Sequence, residues 1–176
     1  MKEIEVKILE VNPDAIRQKL AELRAELHFK GELHALFFDF PGSTIKEKGD
    51  VLRLRKEGDE MILAYKKRVS KEGTKIMEEH EIAISNFEET QQILAHLGMK
   101  VVAGNRKFRE EYVLKNSKVV IDNYQDEMAY IPAFIEIESP TEAELYELAA
   151  LLGFRREDCR SWDTRDLAEH YADLTK

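Results

Sequence analysis

With 176 residues, the chain is long enough for one domain with a sizeable core, taken here as residues 1–176, and short for two. A hydrophobic fraction of 43% excludes a disordered chain, while 35% charged residues, well above the ordinary quarter, means that much charge covers the surface or lines a charged interior. A formal net charge of −8, from 27 Lys and Arg against 35 Asp and Glu, argues against a generic nucleic-acid binder and leaves anion binding to a local basic cluster.

Met1-Lys2-Glu3 is charged and lacks the apolar centre of a signal peptide. Residues 2–10 alternate, with Glu3, Glu5 and Lys7 on one side and Ile4, Val6 and Ile8 on the other, which predicts a strand. Asn12-Pro13-Asp14 opens a helix with Asn12 as N-cap, and Ile16, Leu20, Leu23 and Leu27 supply its apolar stripe. A strand around 31–40 ends at Pro41-Gly42. Lys46-Glu47-Lys48 reads as a mobile exposed loop. Short alternating runs follow: Val51–Arg55, Met61–Lys66 and Lys75–Ile84, separated by turn signals at Gly58 and Gly73. Glu88–Leu97 predicts a helix closed by Gly98. Lys107–Leu114 and Lys118–Asp122 form a hairpin around Asn116-Ser117, and Phe134–Glu138 is the last strand. Helices over 141–152 and Ser161–Leu174 complete about eight strands and four helices. The only cysteine, Cys159, excludes an intrachain disulfide and favours a reducing compartment; with no apolar run long enough to span a bilayer, a soluble cytoplasmic protein is expected.

One face of each strand carries charge. These faces hold Glu3, Glu5 and Lys7; Arg53 and Arg55; Lys66; Glu79 and Glu81; Lys107, Arg109 and Glu111; Lys118 and Asp122; and Glu136 and Glu138. The opposite faces are largely apolar. For any one strand this fits a sheet with one face in water. Taken together, acids and bases stand in separate pairs at spacing two, whereas solvent faces usually mix in Ser, Thr and Gln. If the sheet curls into a closed, mostly antiparallel barrel with helices packed outside, the charged faces line a tunnel. Such a tunnel suits a polyanion with a hard cation: carboxylates hold Mg²⁺ or Mn²⁺, and Arg and Lys clamp phosphate oxygens.

The ordered motifs Glu3-x-Glu5-x-Lys7, Arg53-x-Arg55, Lys66, Glu79-x-Glu81, Lys107-x-Arg109, Asp122 and Glu136-x-Glu138 resemble the CYTH, or triphosphate tunnel, metalloenzymes. That group includes class IV adenylate cyclases, thiamine triphosphatases and inorganic triphosphatases, and length and element order look most like the cyclase branch. The resemblance implies an α+β fold with an eight-stranded, closed β-barrel. It implies that Glu3, Glu5, Asp122, Glu136 and Glu138 hold one or two Mg²⁺ or Mn²⁺ ions, with Glu79 and Glu81 either joining them or pairing with bases in the tunnel. It implies that Lys7, Arg53, Arg55, Lys66, Lys107 and Arg109 grip a triphosphate, and that Glu5, Lys7, Arg55 and Lys66 carry the catalysis. The first expectation is conversion of ATP to cyclic AMP and pyrophosphate. The alternatives are an inorganic or thiamine triphosphatase, or a non-catalytic nucleotide or polyphosphate binder. The partner is a small triphosphate rather than nucleic acid or membrane, and a homodimer is left open. Lys67 and Arg68 are expected to be solvated, Tyr65 and Phe37 to pack in the outer shell, and Trp162 to fix the last helix. Cys159 has no nearby His in sequence and is expected to be no nucleophile.

Overall fold

The computed structural model describes residues 2–70, 72 and 74–174, with the side chains of residues 2, 3, 173 and 174 outside the description. Eight strands form a closed barrel: β1 (Lys2–Ile8), β2 (Glu26–Asp39), β3 (Val51–Glu57), β4 (Glu60–Ser70), β5 (Lys75–Ala83), β6 (Lys100–Leu114), β7 (Ser117–Tyr124) and β8 (Phe134–Ser139). Their order around the barrel is β1-β5-β4-β3-β2-β6-β7-β8, and every neighbouring pair is antiparallel. Closure leaves no free sheet edge.

Among the described residues there are five α-helices: α1 (Pro13–Glu22), α2 (Thr44–Glu47) and α3 (Phe87–His96) lie between strands, and α4 (Glu142–Leu151) and α5 (Thr164–Leu174) follow β8. The caps follow the sequence chemistry. Asn12 accepts from the backbone N–H groups of Asp14 and Ala15 at the start of α1, and Thr141 accepts from that of Glu144 at the start of α4. The single turn α2 replaces the mobile loop expected at Lys46–Lys48. Asp39, at the end of β2, accepts from the N–H groups of Phe40, Ile45 and Lys46 at 2.7, 3.0 and 2.9 Å, which satisfies the turn's free donors. β2 and β6 are also longer than their patterns suggest, starting at Glu26 and Lys100. Each is the other's main partner, and bulges at Leu27/Phe29 and Phe37/Phe38 let the two bend together over residues whose alternation is broken.

The apolar strand faces point outward. Ile4, Val6, Ile8, Val119, Ile121, Ile135 and Ile137 pack beneath α1 and α4, against Ile16, Leu20, Leu145 and Leu148. Leu52 and Leu54 pack beneath α3, against Phe87 and Leu94. A third cluster differs in place. Tyr124 and Phe134 lie in register with inward-facing neighbours, and Leu167 and Tyr171 of α5 cover them. Thus α5 lies over one end of the barrel, the end where β1, β2, β4 and β7 finish. Trp162 packs in a tilted arrangement against His170 of α5, at 5.0 Å between ring centroids, and on the same cluster. The approach to α5 is held beside β1, beyond the start of β5: Arg160 exchanges two 2.8 Å backbone hydrogen bonds with Lys7. Among the described residues no helix is long and apolar enough to cross a membrane.

Candidate functional site

Strand register brings the charged faces together. Glu5, Lys7, Arg53, Arg55, Lys66, Glu79, Glu81, Lys107, Arg109, Glu136 and Glu138 all line one cavity of about 390 Å³ inside the barrel. The backbone of Glu3 pairs with Met77, but its side chain lies outside the described residues.

β1 and β8 form an acidic wall. Glu5 stands opposite Glu138, and Lys7 opposite Glu136. Lys7 Nζ lies 2.7 Å from Glu136 and 3.5 Å from Glu5, and Lys75 Nζ lies 2.6 Å from Glu5. Burial alone would push the Glu5 carboxyl up, but Lys75 and Lys7 outweigh it and hold the pKa at about 2. Burial likewise opposes ionisation of Glu136, and Lys7, Lys107 and Arg109 reverse the effect and hold its pKa well below the carboxylate range. The same pairs raise Lys7 above the ordinary lysine value despite its burial. All three groups are therefore charged at neutral pH.

Three strands around the ring from β1 and four from β8, β3 faces this wall. Its Arg53 lies 3.8 Å from Glu79 and 3.7 Å from Glu81, and Arg55 lies 3.3 Å from Glu57 and 3.9 Å from Glu81. Lys66 on β4 is 2.9 Å from Glu79. Glu79 and Glu81 thus sit as counterions among the bases, one of the two placements expected for them. Arg55 Nε is buried with no hydrogen-bond partner among the described residues. A buried guanidinium N–H left open in this way is suited to an incoming anion.

Asp122 is placed differently from the rest. Its side chain is 0% exposed and lies behind the cavity lining. Arg109 donates to both its oxygens at 2.8 and 2.6 Å, and Lys107 donates to the same carboxylate. Arg109 also reaches Glu136 at 3.2 Å. Burial and the neighbouring Arg109 lower the Lys107 pKa despite Asp122. With its oxygens engaged by two cations, Asp122 anchors Lys107 and Arg109 on the cavity wall.

Several lining residues were missing from the sequence reading. Lys75 shares its strand face with Glu79 and Glu81, so period two alone could have found it. Glu111 and Lys118 also line the cavity, on faces recognised as charged, but had been given no role. Phe37 lines the cavity instead of packing in the outer shell, because it pairs with Arg53 and shares the face of Ala35. Tyr65 does pack outside, and donates a 2.8 Å hydrogen bond to Asp50. Lys67 is exposed as expected, but Arg68 is only partly solvated. It lies against Gly49, its N–H donates to Asp50 at 2.9 Å, and its guanidinium is 3.5 Å from Asp163. Gly49 has φ of 77°, and an added Cβ would meet the guanidinium at 2.6 Å, so this turn requires glycine. Cys159 is half-buried, and burial pushes its thiol pKa up, away from the nucleophilic thiolate.

The donors in the acidic wall are carboxylates, the oxygen ligands preferred by hard divalent cations. As they stand, no three acidic, His or Cys side chains among the described residues lie grouped to hold a metal ion. Lys7 and Lys75 stand among the carboxylates and pair with them. Glu5, Glu136 and Glu138 fit a hard cation in chemistry and in cross-strand register, provided that these lysines turn to another anion.

A profile of the CYTH domain matches residues 1–157. The chain belongs to the CYTH family. This is a family of triphosphate tunnel metalloenzymes, which implies a divalent metal ion. No curated protein sequence matches significantly. Among solved structures, a Pyrococcus horikoshii protein is similar with a TM-score of 0.79 at 24% identity, covering 94% of this chain and 98% of that one. A putative adenylate cyclase from Vibrio parahaemolyticus superposes with a TM-score of 0.82 at 18% identity, covering 95% of this chain and 97% of that one. A putative adenylyl cyclase from Hippeastrum, described as having a dominant triphosphatase activity, gives a TM-score of 0.69 at 19% identity over 97% of this chain and 96% of that one. At these identities the solved structures establish the shared CYTH barrel fold.

Proposed function

We propose that this CYTH protein is a divalent-metal-dependent enzyme that draws a triphosphate into its barrel, and that it converts ATP to cyclic AMP and pyrophosphate. The observation that carries the reading is the pair of facing walls: Arg53, Arg55 and Lys66 on one side, Glu5, Glu136 and Glu138 on the other. A triphosphate between them would meet the bases directly, with the acids left to hold a metal ion. Glu5, Glu136 and Glu138 would hold that ion, which supplies charge neutralisation and polarisation of phosphoryl oxygens when bound. A carboxyl with a pKa of about 2, as in Glu5, is a poor proton acceptor at neutral pH and a good cation ligand.

Lys7 and Lys75 neutralise Glu5 and Glu136 in the protein alone. With a cation held by the carboxylates, Lys7 and Lys75 would be free to pair with the phosphates, which would keep the buried charge balanced. Lys107 and Arg109, held by Asp122, and Arg53 and Arg55 grip phosphoryl oxygens. This grip orients the α-phosphorus for attack by the ribose 3′-hydroxyl, and charge developing on the pyrophosphate falls among fixed cations. Towards α5 the lining includes the apolar residues Phe37, Val102, Ala103 and Met128, against which an organic group attached to the phosphates could pack.

A second reading, hydrolysis of the terminal phosphoryl group, is favoured by the activity described for the Hippeastrum relative. Incubation with Mg²⁺ or Mn²⁺ and ATP, thiamine triphosphate or tripolyphosphate separates the two. Cyclic AMP with pyrophosphate supports the cyclase, and orthophosphate supports the hydrolase. Tight binding without turnover of any of them sinks both.

A further inference from the structure

Lys75 is the first residue of β5, directly opposite Glu5 of β1, and it lines the cavity. Glu5 therefore stands between a base and an acid, because its partner on β8 is Glu138. Lys75 Nζ lies 2.6 Å from Glu5 Oε1, and the two side chains are only 14% and 6% exposed. Lys7 approaches the same oxygen at 3.5 Å, but its shorter contact, 2.7 Å, is with Glu136. The close partner of Glu5 is thus Lys75. An ammonium at this distance occupies the space from which a metal ion would bind the same oxygen. Two positive charges so close in a cavity poor in water repel strongly, so Lys75 and a divalent cation compete for Glu5. A lysine carries its charge on a flexible stem, so Lys75 can swing from Glu5 to an anion held in the same cavity.

We infer that Lys75 makes cation uptake depend on the triphosphate: it closes Glu5 to a divalent cation in the free protein, and opens it when a phosphate chain draws the ammonium away. The inference rests on the triphosphate reading above. Glu5 is then neutralised at every stage, by Lys75 before the substrate arrives and by the cation afterwards, so no uncompensated charge is buried. The thermodynamic consequence is reciprocal. The triphosphate strengthens cation binding by the factor by which the cation strengthens triphosphate binding, and such coupling typically amounts to about 5- to 150-fold.

The test begins with Mn²⁺ binding to the full chain without any phosphate, read from the loss of the free-ion electron paramagnetic resonance signal. Wild-type protein is expected to reach half-saturation only above about 0.1 mM, in the weak range for oxygen-ligand sites. Lys75→Met keeps an unbranched side chain and removes the charge, and it is expected to bind Mn²⁺ at least about fivefold more tightly. Adding Glu5→Gln to Lys75→Met should abolish that gain. Lys67→Met, which removes an exposed lysine on β4, controls for net charge and should match wild type. Calorimetry with tripolyphosphate, in EDTA and in saturating Mn²⁺, then measures the coupling. The gain in affinity on adding Mn²⁺ should be at least about fivefold larger in wild type than in Lys75→Met; complexation of Mn²⁺ by free phosphate is common to both and cancels. Tighter Mn²⁺ binding by wild type, a smaller effect of Lys75→Met in either measurement, an equal gain in Lys67→Met, or a gain that survives Glu5→Gln overturns the inference and leaves the triphosphate reading standing. Failure of wild-type protein to bind tripolyphosphate overturns that reading, and this inference with it. Lys75→Gln gives the same comparison if Lys75→Met does not fold.

Discussion

Asp122→Asn is the most informative single change, because two different roles for Asp122 give different results. In the structure Asp122 is fully buried and engages Lys107 and Arg109, with Arg109 bonds of 2.8 and 2.6 Å. The amide keeps the shape and one acceptor but removes the charge, which leaves two adjacent buried cations with Glu136 as their remaining acidic contact. Removing one partner from a buried ion pair costs about 3–5 kcal/mol. The retained acceptor puts the expected loss near the lower end, about 3 kcal/mol. For a chain of this length that corresponds to a fall in Tm of roughly 6–12 °C. Thermal unfolding at neutral pH, followed by circular dichroism, measures it. A double-mutant cycle with Lys107→Met sharpens the result: the paired change should cost at least about 1 kcal/mol less than the two single changes added together. The Mg²⁺ concentration for half-maximal activity should stay within about twofold, because the residue acts through the two cations. A Tm loss below about 2 °C, or a tenfold shift in metal dependence at unchanged Tm, would refute the reasoning and return Asp122 to the metal ligands.

Three further outcomes follow from the same geometry. Arg55→Ala removes a guanidinium aimed into the lumen, and turnover of the triphosphate should fall by about 10²–10³-fold with the circular dichroism spectrum unchanged; a rate within threefold of wild type would remove Arg55 from the site. The depressed pKa of Glu5, about 2 against 4.5 unfolded, contributes about 3 kcal/mol of stability. Because the folded value is the lower one, this term is complete above about pH 4.5 and is lost as pH falls towards 2, so urea midpoints should decline across that window. In Glu5→Gln the decline should be shallower; an identical slope would show that Glu5 is not the titrating group. Leu54→Ala, at a 0% exposed position beneath α3, should cost about 2–5 kcal/mol in urea unfolding, and a loss below about 1 kcal/mol would mean that the outer core collapses around the gap.

Much of this site was legible in the sequence. Period-two alternation sorts each strand into two faces, and the inward faces carry the motifs from Glu5 to Glu138. The same rule, applied without prejudice, would have included Lys75 and Phe37. Other features had no local signal. Lys46-Glu47-Lys48 forms a helical turn only because Asp39, seven residues before Lys46, caps it. Arg68 is drawn from solvent by Asp163, nearly a hundred positions further along the chain.

What the sequence determined by itself is which residues share a face, that those faces are charged, and so that a closed barrel would enclose them. Tertiary structure alone decided who meets whom. β1 closes the ring between β5 and β8, so Glu5 meets Lys75 on one side and stands beside Glu138 on the other. Asp122 is directed to Lys107 and Arg109 and away from the lumen. The reason is that alternation is a property of one strand and its neighbours in sequence, whereas the partner of a buried charge depends on strand order and register, which are set by closure of the whole barrel.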